Sequence, residues 1–377
     1  MNNFTFFIRF TFIICCFNIQ AQVKELDSLY AVAAYGQLIE QAKQLENPTQ
    51  KQAFLWASAL QKMGLEKDAL SVHESYLTEP FNPKYALSYA NLLKTFGRNE
   101  EAKNQYTKLI EADSTNAEYY FLRAKLLQKL KDEDLLEDLE KGYQMQPNHL
   151  SLANFYVREL IKRRILHIAD KIGNDVLYID PKNPGMHGNM GQLSMRQNKY
   201  AKAIFHFEEI ADLPDTPDFV YRKLGEAYTH IRKYDKALEA LQILLLKNPK
   251  DHYLMVEMAE LYALDGQLDK AMELNNKAYA LKDVSRDTQN YNYGFIFQQK
   301  KEYQKAFDFY NDCLKENPTH EKALFARASA ADQLDIPISK KIGYYEAYLR
   351  QFPDRGKFRS SAKIRLSKLK TDAFMEN

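Results

Sequence analysis

Apolar residues between positions 218 and 251 recur with the spacing of two amphipathic helices. Leu224 and Tyr228 lie four residues apart on one face of a first helix, and Leu241 continues the pattern on a second. A stripe that repeats every three to four residues is typical of a helix with one buried face. Pro249 ends the second helix, because proline removes a backbone donor and clashes with the preceding turn. The stretch therefore predicts a helical hairpin.

Small residues recur along the chain at an interval of 34 residues. The first series consists of Ala169, Ala203, Ala237 and Ala271, with Ala306 following 35 residues later. The second series runs about twelve residues upstream and consists of Val157, Gly191, Gly225, Ala259 and Gly294. Two series with a shared period predict two helices that approach closely in every repeat of a helical stack. We expect Gly225 and Ala237 to lie at such an approach, where a large side chain should overpack by roughly 1–3 kcal/mol.

The residue order at 218–251 resembles the tetratricopeptide repeat family. In that family a bulky residue, Leu-Gly and Tyr mark the first helix, Ala and further bulky or small residues mark the second, and Pro follows. The matching residues are Tyr221, Leu224, Gly225, Tyr228, Ala237, Leu241, Leu244 and Pro249. The resemblance implies an all-α fold, a right-handed α-solenoid of tandem helix-turn-helix repeats. It also implies a protein that presents a long surface to another molecule.

Nine such units are predicted to cover most of the chain. Their bounds are 50–82, 83–115, 116–149, 150–183, 184–217, 218–251, 252–285, 287–320 and 322–355. Residues 22–49 are expected to form a single leading helix, and residues 356–377 a capping helix and tail that shield the last hairpin from water. The unit at 116–149 departs from the family pattern, since we expect Arg123 to occupy its small position.

The first 21 residues have the pattern of a secretory signal peptide. They carry one charge, Arg9, followed by an apolar run over 10–19 and by Ala21, a small residue of the kind that precedes a cleavage site. An uncleaved anchor is the alternative, but ten apolar residues are short for a membrane span, which needs about 20. We expect cleavage after Ala21, export to the periplasm or another part of the cell envelope, and no transmembrane span in the mature chain.

Cysteines are few and mostly lie in this leading segment. Cys15 and Cys16 raise the alternative of a lipoprotein, but that processing needs a small residue before the modified cysteine, and Ile14 precedes Cys15. After cleavage only Cys313 remains, so the fold must be held by packing without an internal disulfide. Cys313 falls where the repeat family has alanine, which predicts a buried and unreactive thiol.

Charge and motifs argue against a nucleic-acid-binding protein and against an enzyme. Lys and Arg number 52 against 50 Asp and Glu, so the basic excess typical of nucleic-acid binding is missing. The sequence has no His-Glu-x-x-His, no paired Cys-x-x-Cys and no Gly-x-x-x-x-Gly-Lys motif. We expect no catalytic residues, no cofactor and no metal site.

The resemblance implies that the first helices line an inner, concave surface. In the family, residues two, five, six, nine and twelve of a unit point there. The corresponding residues are Tyr120, Asn154, Arg158, Asn189, Gln192, Arg196, Phe219, Arg222, Lys223, Glu226, Tyr253 and Tyr291, together with Glu257, Glu260 and Asn292. The basic members of this set would suit an acidic tail or a carboxylate. Phe219, Tyr253 and Tyr291 lie in successive repeats and would offer stacking surface, whereas the carboxylate clamp of chaperone-binding members is too incomplete to be inferred.

Two functions follow as expectations. The first is a non-enzymatic, exported scaffold or adaptor that binds a protein or peptide partner in its concave groove, within a bacterial cell-envelope assembly. The alternative is a periplasmic accessory protein that binds a glycan through the groove aromatics, in a system for polysaccharide uptake or degradation. Neither expectation involves nucleic acid.

Overall fold

The computed structural model describes residues 25–77, 79–281 and 285–375, and all regular secondary structure in these ranges is helical. The chain divides into two compact parts, unit 1 at residues 1–181 and unit 2 at residues 182–377. The predicted signal peptide, with its cleavage site at Ala21, lies outside the described residues.

The helices of the described ranges follow one another in pairs. Unit 1 contains α1 (25–31), α2 (Tyr35–Lys43), α3 (Gln50–Lys62), α4 (Glu66–Tyr76), α5 (Pro83–Thr95), α6 (Asn99–Ala112), α7 (Ala117–Leu130), α8 (Leu135–Met145), α9 (Leu150–Lys162) and α10 (Leu166–Ile179). Unit 2 contains α11 (Pro184–Arg196), α12 (Tyr200–Ala211), α13 (Asp218–His230), α14 (Tyr234–Lys247), α15 (His252–Leu264), α16 (Leu268–Ala280), α17 (Arg286–Gln299), α18 (Tyr303–Glu316), α19 (Glu321–Asp332), α20 (Ile338–Gln351) and α21 (Arg359–Met375). The predicted all-α stack of helix-turn-helix repeats is confirmed. We call the first helix of each hairpin, α3 to α19 with odd numbers, the A helix, and the second the B helix.

One residue in a left-handed conformation ends the A helix in most hairpins. These residues are Gly64, Gly97, Lys131, Arg164, Asn198, Arg232, Gly266 and Lys301, with φ between 57° and 79°. The residue after each of them donates its backbone N–H to the carbonyl oxygen five residues earlier, as Lys233 N does to Tyr228 O at 3.0 Å. This is the Schellman type of helix end, which reverses the chain within a few residues. It sets the tight A-to-B turn of the repeat.

A left-handed residue at a helix end also divides the segment that was predicted to be one leading helix. Helix α1 stops at residue 31, Ala33 takes a φ of 57°, and α2 begins at Tyr35. Ala34 N donates to Leu29 O at 2.9 Å, which closes the helix end. The leading segment is therefore a short hairpin, and the prediction of a single helix over 22–49 is wrong. The reversal lets Leu26 and Leu38 enter the same core.

The recurring small residues accommodate large side chains of the B helices. A Cβ atom on Gly225 would lie 2.8 Å from Cδ2 of Leu241, and one on Gly191 would lie 2.5 Å from the ring of Phe207. Such distances are too short for carbon atoms in contact. The expected close approach therefore exists, but the atoms nearest to Gly225 belong to Leu241 rather than to Ala237, which is itself fully buried.

The small position of the third hairpin is Ala124, not Arg123 as predicted. Gly225 is the eighth residue of α13, and the eighth residue of α7 is Ala124, which is fully buried. The predicted repeat unit began at residue 116, one residue before the first residue of α7, Ala117. This shift of one residue, which we call the frame error, moved every predicted position of the helix by one. Arg123 takes the seventh position, which Leu224 occupies in α13.

Arg123 is balanced by a second unusual residue in the same hairpin. The fourth residue of most B helices is alanine, such as Ala237, but in α8 it is Asp138, which is 1% exposed. The Arg123 guanidinium donates to both oxygens of Asp138, at 2.7 and 2.6 Å, and to Oγ1 of Thr107 at 3.0 Å. A buried two-point ion pair thus replaces the apolar–alanine combination of most other repeats.

Helix α21 packs over the last hairpin. Ala362 and Leu369 are buried against α19 and α20, and the ring of Phe358 stacks on Phe325 at 4.7 Å. Arg365 Nε donates to Asp332 at 2.8 Å. The buried apolar face of α21 is the one expected of a terminal cap.

Candidate partner-binding face

The A helices form the inner side of unit 2. Lys322 in α19 lies with its Nζ 3.3 Å and 3.4 Å from the carboxylate oxygens of Glu260 in α15, although a whole repeat lies between these helices. The same Nζ is 5.3 Å from the ring centre of Tyr291 in α17. Side chains two repeats apart meet on the inside of a curved stack, so the A-helix face of unit 2 is concave here.

Most of the predicted groove residues of unit 2 reach the A-helix face. Gln192 is half-buried, Lys223 is partly exposed, and the remaining members Arg196, Phe219, Arg222, Glu226 and Tyr253 are exposed. Phe219 and Tyr253 are the second residues of α13 and α15, and 41% and 72% of their surfaces are accessible. Two aromatic rings thus stand at equivalent places on neighbouring A helices.

The positive charges of this face are largely compensated by carboxylates. Arg222 Nη1 lies 3.3 Å from Glu257, and Lys223 Nζ lies 2.6 Å from Glu226. The pKa of the Glu257 carboxyl is raised, mainly because the group has lost surrounding water. The positive charge of Arg222 opposes this rise, and the negative charge of Glu260 adds to it. The basic middle predicted for this groove is therefore a nearly neutral, mixed surface, with Arg196 as its uncompensated member among the described residues.

Four predicted groove residues lie in the interior. Tyr120, Asn189, Tyr291 and Asn292 are 6%, 7%, 9% and 1% exposed. Tyr120 follows from the frame error in α7, since it is the fourth rather than the fifth helical residue. Tyr291 has the right position but is covered by Lys322 and by the ring of His320, 5.1 Å away. None of the four offers contact surface to a partner.

In unit 1 the predicted residues Asn154 and Arg158 line a cleft between the A helices α7 and α9. The cleft encloses about 270 Å³ and is lined by Phe121, Lys125, Gln128, Ser151, Asn154, Phe155 and Arg158. Lys125 Nζ lies 4.0 Å from the ring centre of Phe121, and the Arg158 guanidinium lies 4.9 Å from that of Phe155. Both cations thus lie against aromatic rings that line the cleft.

Two further lysines belong to this positive region, which we call the basic groove and define by Lys94, Lys125, Lys129 and Arg158. The pKa of Lys94 is lowered, first by burial and then by the positive charges of Lys125 and Lys129. Among the described residues, no carboxylate lies within 4.0 Å of these three lysines. Arg158 has only a long contact of 3.9 Å to Glu159, which Lys162 already engages at 2.6 Å.

Sequence reasoning missed the three lysines of the basic groove. Lys125 is the ninth residue of α7, as Arg158 is of α9, but the frame error placed Ala124 there. With the correct start of α7, the counting rule that selected Arg158 would have selected Lys125 as well.

Other kinds of site are missing from the described ranges. No group of three or more His, Cys, Asp or Glu side chains there is arranged to hold a metal ion. Every helix of those ranges is too short or too polar to cross a bilayer. Cys313 is fully buried, and burial raises the pKa of its thiol to about 12.

Comparison with known families agrees with this architecture. Family models described as tetratricopeptide repeat match residues 222–285, 83–116 and 290–320. The chain is a tetratricopeptide repeat protein. Proteins of this family are generally non-catalytic scaffolds that bind protein partners.

This tetratricopeptide repeat protein spans only a small part of the two curated relatives described next. It is 31% identical over 146 residues, 38% of the chain, to BBSome complex member BBS4 of Bos taurus, and covers 28% of that protein. It is 27% identical over 124 residues, 33% of the chain, to Superkiller protein 3 of Schizosaccharomyces pombe, and covers 9% of that protein. A solved C-terminal part of a repeat protein from Cytophaga hutchinsonii superposes with a TM-score of 0.50 at 21% identity, over 64% of this chain and 98% of that one. That last likeness concerns the fold alone.

Proposed function

We propose that the protein is an exported, non-enzymatic scaffold that holds a protein or peptide partner against its A-helix faces. The observation that carries the proposal is the pair of exposed rings, Phe219 and Tyr253, at equivalent positions of α13 and α15. The same two helices are joined by the ion pair between Arg222 and Glu257. Tyr, Phe and Arg are residue types that protein interfaces concentrate. An aromatic ring buries much surface at small cost in side-chain freedom, and a guanidinium can form two parallel hydrogen bonds to a carboxylate.

The test is site-specific cross-linking in the native host. A photoreactive amino acid replaces Tyr253 on the A-helix face or, as a matched control, Leu246, which is 71% exposed on the B helix α14. We expect a discrete protein adduct from position 253, weakened by Phe219→Ala, and none from position 246. Equal labelling from both positions, or no protein adduct from 253, contradicts the proposal.

The exposed ring of Tyr253 also supports a second candidate, a glycan ligand. Sugar rings stack on accessible aromatic faces, and 72% of the Tyr253 surface is accessible. Purified protein would then bind oligosaccharides from the host envelope, and Tyr253→Ala would abolish that binding. Glycan binding that is unchanged in Tyr253→Ala contradicts this second candidate. It leaves the proposal of a protein or peptide partner unaffected.

Export and an envelope location form the third element of the proposal. Its support is the pattern of residues 1–21, with Arg9 before the apolar run and Ala21 at its end. Fractionation of the native host, with N-terminal sequencing of the purified protein, should find a chain that begins at Gln22 outside the cytoplasm. A cytoplasmic protein that retains Met1 contradicts export but leaves partner binding open.

A further inference from the structure

We infer that the outer face of the terminal helix α21 binds the surface of an anionic lipid bilayer, with the helix lying flat among the headgroups. The inference goes beyond the proposed function, because it concerns another surface of unit 2 and does not depend on the aromatic pair of α13 and α15. It gives the chain an attachment to a membrane surface in addition to its partner.

The outer side of α21 carries large apolar side chains. Ile364, Phe374 and Met375 are 73%, 85% and 80% exposed, although the terminal cap of a solenoid is expected to have a polar outer face. At about 3.6 residues per turn, these three lie on one side of the helix, opposite the buried Ala362 and Leu369. The other exposed residues of that side are small and carry hydroxyl groups, namely Ser360, Ser367 and Thr371. The outer side thus has an apolar strip that no described part of the chain covers.

Lysines border this apolar strip on both of its long edges. With the turn of an α-helix, Lys363 and Lys370 lie along one edge and Lys368 along the other. Among the described residues, no carboxylate lies within 4.0 Å of Lys363 or Lys368. Lys370 Nζ reaches Glu346 at 2.7 Å, but 56% of the lysine side chain remains exposed. Positive charge on either side of an apolar strip is the pattern of helices that lie in a membrane interface.

The surroundings of α21 are strongly basic as well. Residues 350–370 contain eight basic residues and one acidic residue, whereas the net charge of the whole chain is only +2. Arg355 and Lys357, which directly precede the helix, are exposed. Arg365 turns inward instead and binds Asp332 at 2.8 Å. Each basic residue near an anionic lipid surface strengthens binding by about a factor of five, so this end of the chain should be drawn to such a surface.

The spacing along the helix favours an orientation parallel to the bilayer. Ile364 and Phe374 are ten residues apart in α21, which is roughly 15 Å along the helix axis. Both side chains can enter the boundary between headgroups and acyl chains only if the axis is parallel to the surface. The long stems of the bordering lysines allow their ammonium groups to stay among the lipid phosphates while the apolar strip is buried.

The apolar strip distinguishes a bilayer from other anionic partners. Nucleic acids and polyphosphates are bound mainly through contacts of cations and hydrogen-bond donors with phosphate, to which Ile364 and Met375 would add little. Protein interfaces are depleted in lysine and serine, which are the residue types that border and separate the apolar residues here. A bilayer with anionic headgroups uses both parts of the surface, since lysines meet phosphates and the strip meets acyl chains.

The test measures co-sedimentation of the protein, purified from the native host, with lipid vesicles. One kind of vesicle contains phosphatidylcholine alone, and the other contains phosphatidylcholine and phosphatidylglycerol in equal parts. The charge variant is Lys363→Gln/Lys368→Gln. Its matched control is Lys108→Gln/Lys171→Gln, which removes the same charge from exposed B-helix positions of unit 1. All proteins are prepared alike, so that the N-terminal segment is the same in each, and circular dichroism verifies that they are folded.

A second pair of variants tests the apolar strip. The apolar variant is Ile364→Ser/Phe374→Ser, and its control is Tyr178→Ser/Leu246→Ser, which changes two equally exposed apolar positions on α10 and α14. Insertion is read out with Phe374→Trp and brominated lipids, which quench the fluorescence of an indole that enters the acyl region. The parent protein gives the background, since its one tryptophan, Trp56, packs against the core of unit 1.

We expect binding to the anionic vesicles only. The charge variant should bind about thirtyfold more weakly and the apolar variant at least about tenfold more weakly, with both controls close to the parent. Salt raised from about 0.1 M to about 1 M shortens the screening length from about 10 Å to about 3 Å and should weaken binding further. Brominated lipid should quench the added indole of Phe374→Trp but not the parent.

Four results would overturn the inference. They are equal binding to both kinds of vesicle, equal weakening by a variant and its control, absence of quenching in Phe374→Trp, and tighter binding of a DNA oligonucleotide or of polyglutamate through Lys363 and Lys368. Cross-linking at position 253 separates this inference from the proposed function. A partner adduct without vesicle binding supports the scaffold and removes the membrane attachment, whereas vesicle binding without a partner adduct does the reverse.

Discussion

The ion pair between Arg123 and Asp138 offers a sharp test of how this repeat is held together. Other repeats of the chain have an apolar residue and an alanine in these two positions, as Leu224 and Ala237 show. The substitutions Arg123→Leu and Asp138→Ala therefore import a combination that the same fold already tolerates. Each change alone breaks the pair, and both together restore the pattern of the neighbouring repeats.

The burial of the two partners sets the expected magnitudes. Arg123→Leu leaves a carboxylate that is 1% exposed without its counter-charge, which should cost about 3–5 kcal/mol of unfolding free energy. Asp138→Ala leaves the guanidinium with 18% of its side chain exposed and with Thr107 as a partner, so a smaller cost of about 1–3 kcal/mol is expected. The double variant should lie within about 1 kcal/mol of the parent or above it, because apolar replacement of a buried pair is often neutral or stabilising.

Urea unfolding and amide hydrogen exchange of α7 and α8 measure these three values. The coupling between the two positions is the difference between the double variant and the sum of the single variants. A double variant that is as unstable as that sum refutes the reasoning, since the two charges would then act independently of each other.

Three further outcomes follow from burial elsewhere. Gly225→Leu crowds Leu241 and should lower the free energy of unfolding by about 1–3 kcal/mol, with amide exchange protection weakened first in its own hairpin. Gly343→Leu is the control, because nothing lies within 4 Å of a Cβ atom at that position, and it should cause no loss. Equal losses for the two variants in urea unfolding would contradict the packing account. Burial lowers the pKa of His73 from 6.5 to about 4. Because the unfolded chain takes up the proton at a higher pH than the folded chain, unit 1 loses stability as the pH falls from 6.5 to about 4. The loss of unfolding free energy is at most about 3 kcal/mol, at 1.36 kcal/mol per pH unit. Urea unfolding between pH 7 and 4 measures it. If the His73→Gln variant shows the same dependence of stability on pH as the parent, His73 is not its cause. Burial raises the pKa of Cys313 to about 12, so a thiol reagent should label it only after unfolding, and rapid labelling of Cys313 in the native protein would show that the site opens.

Helix positions could be predicted because they depend on local patterns. The stripe with Leu224 and Leu241 and the stop at Pro249 place α13 and α14, and neighbouring copies of the pattern support each other. The pattern failed at Ala33, where a left-handed residue without glycine breaks the leading segment. Lysine, arginine and asparagine take the same conformation in several hairpins, so composition alone does not mark these turns.

The candidate site was less predictable, because it depends on register and on distant residues. One residue of error at the start of α7 selected the buried Tyr120 and passed over Lys125. The cover over Tyr291 comes from Lys322, and the neutralisation of Arg222 comes from Glu257. Each of those partners lies about a repeat away along the chain. A local pattern gives the direction of a side chain but not what lies above it.

The contact between Glu260 and Lys322 bears on how the C-terminal part of unit 2 would fray. In a linear-lattice description each repeat is coupled only to its immediate neighbours, so helices should open one hairpin at a time from a free end. A bond from α15 to α19 adds a second-neighbour coupling, although an exposed pair of this kind is worth only about 0–1 kcal/mol. Opening of the last hairpin would then remove the counter-charge of Glu260 and uncover Tyr291 at once. Opening of the final three hairpins would therefore be slightly more cooperative than contacts between immediate neighbours alone imply.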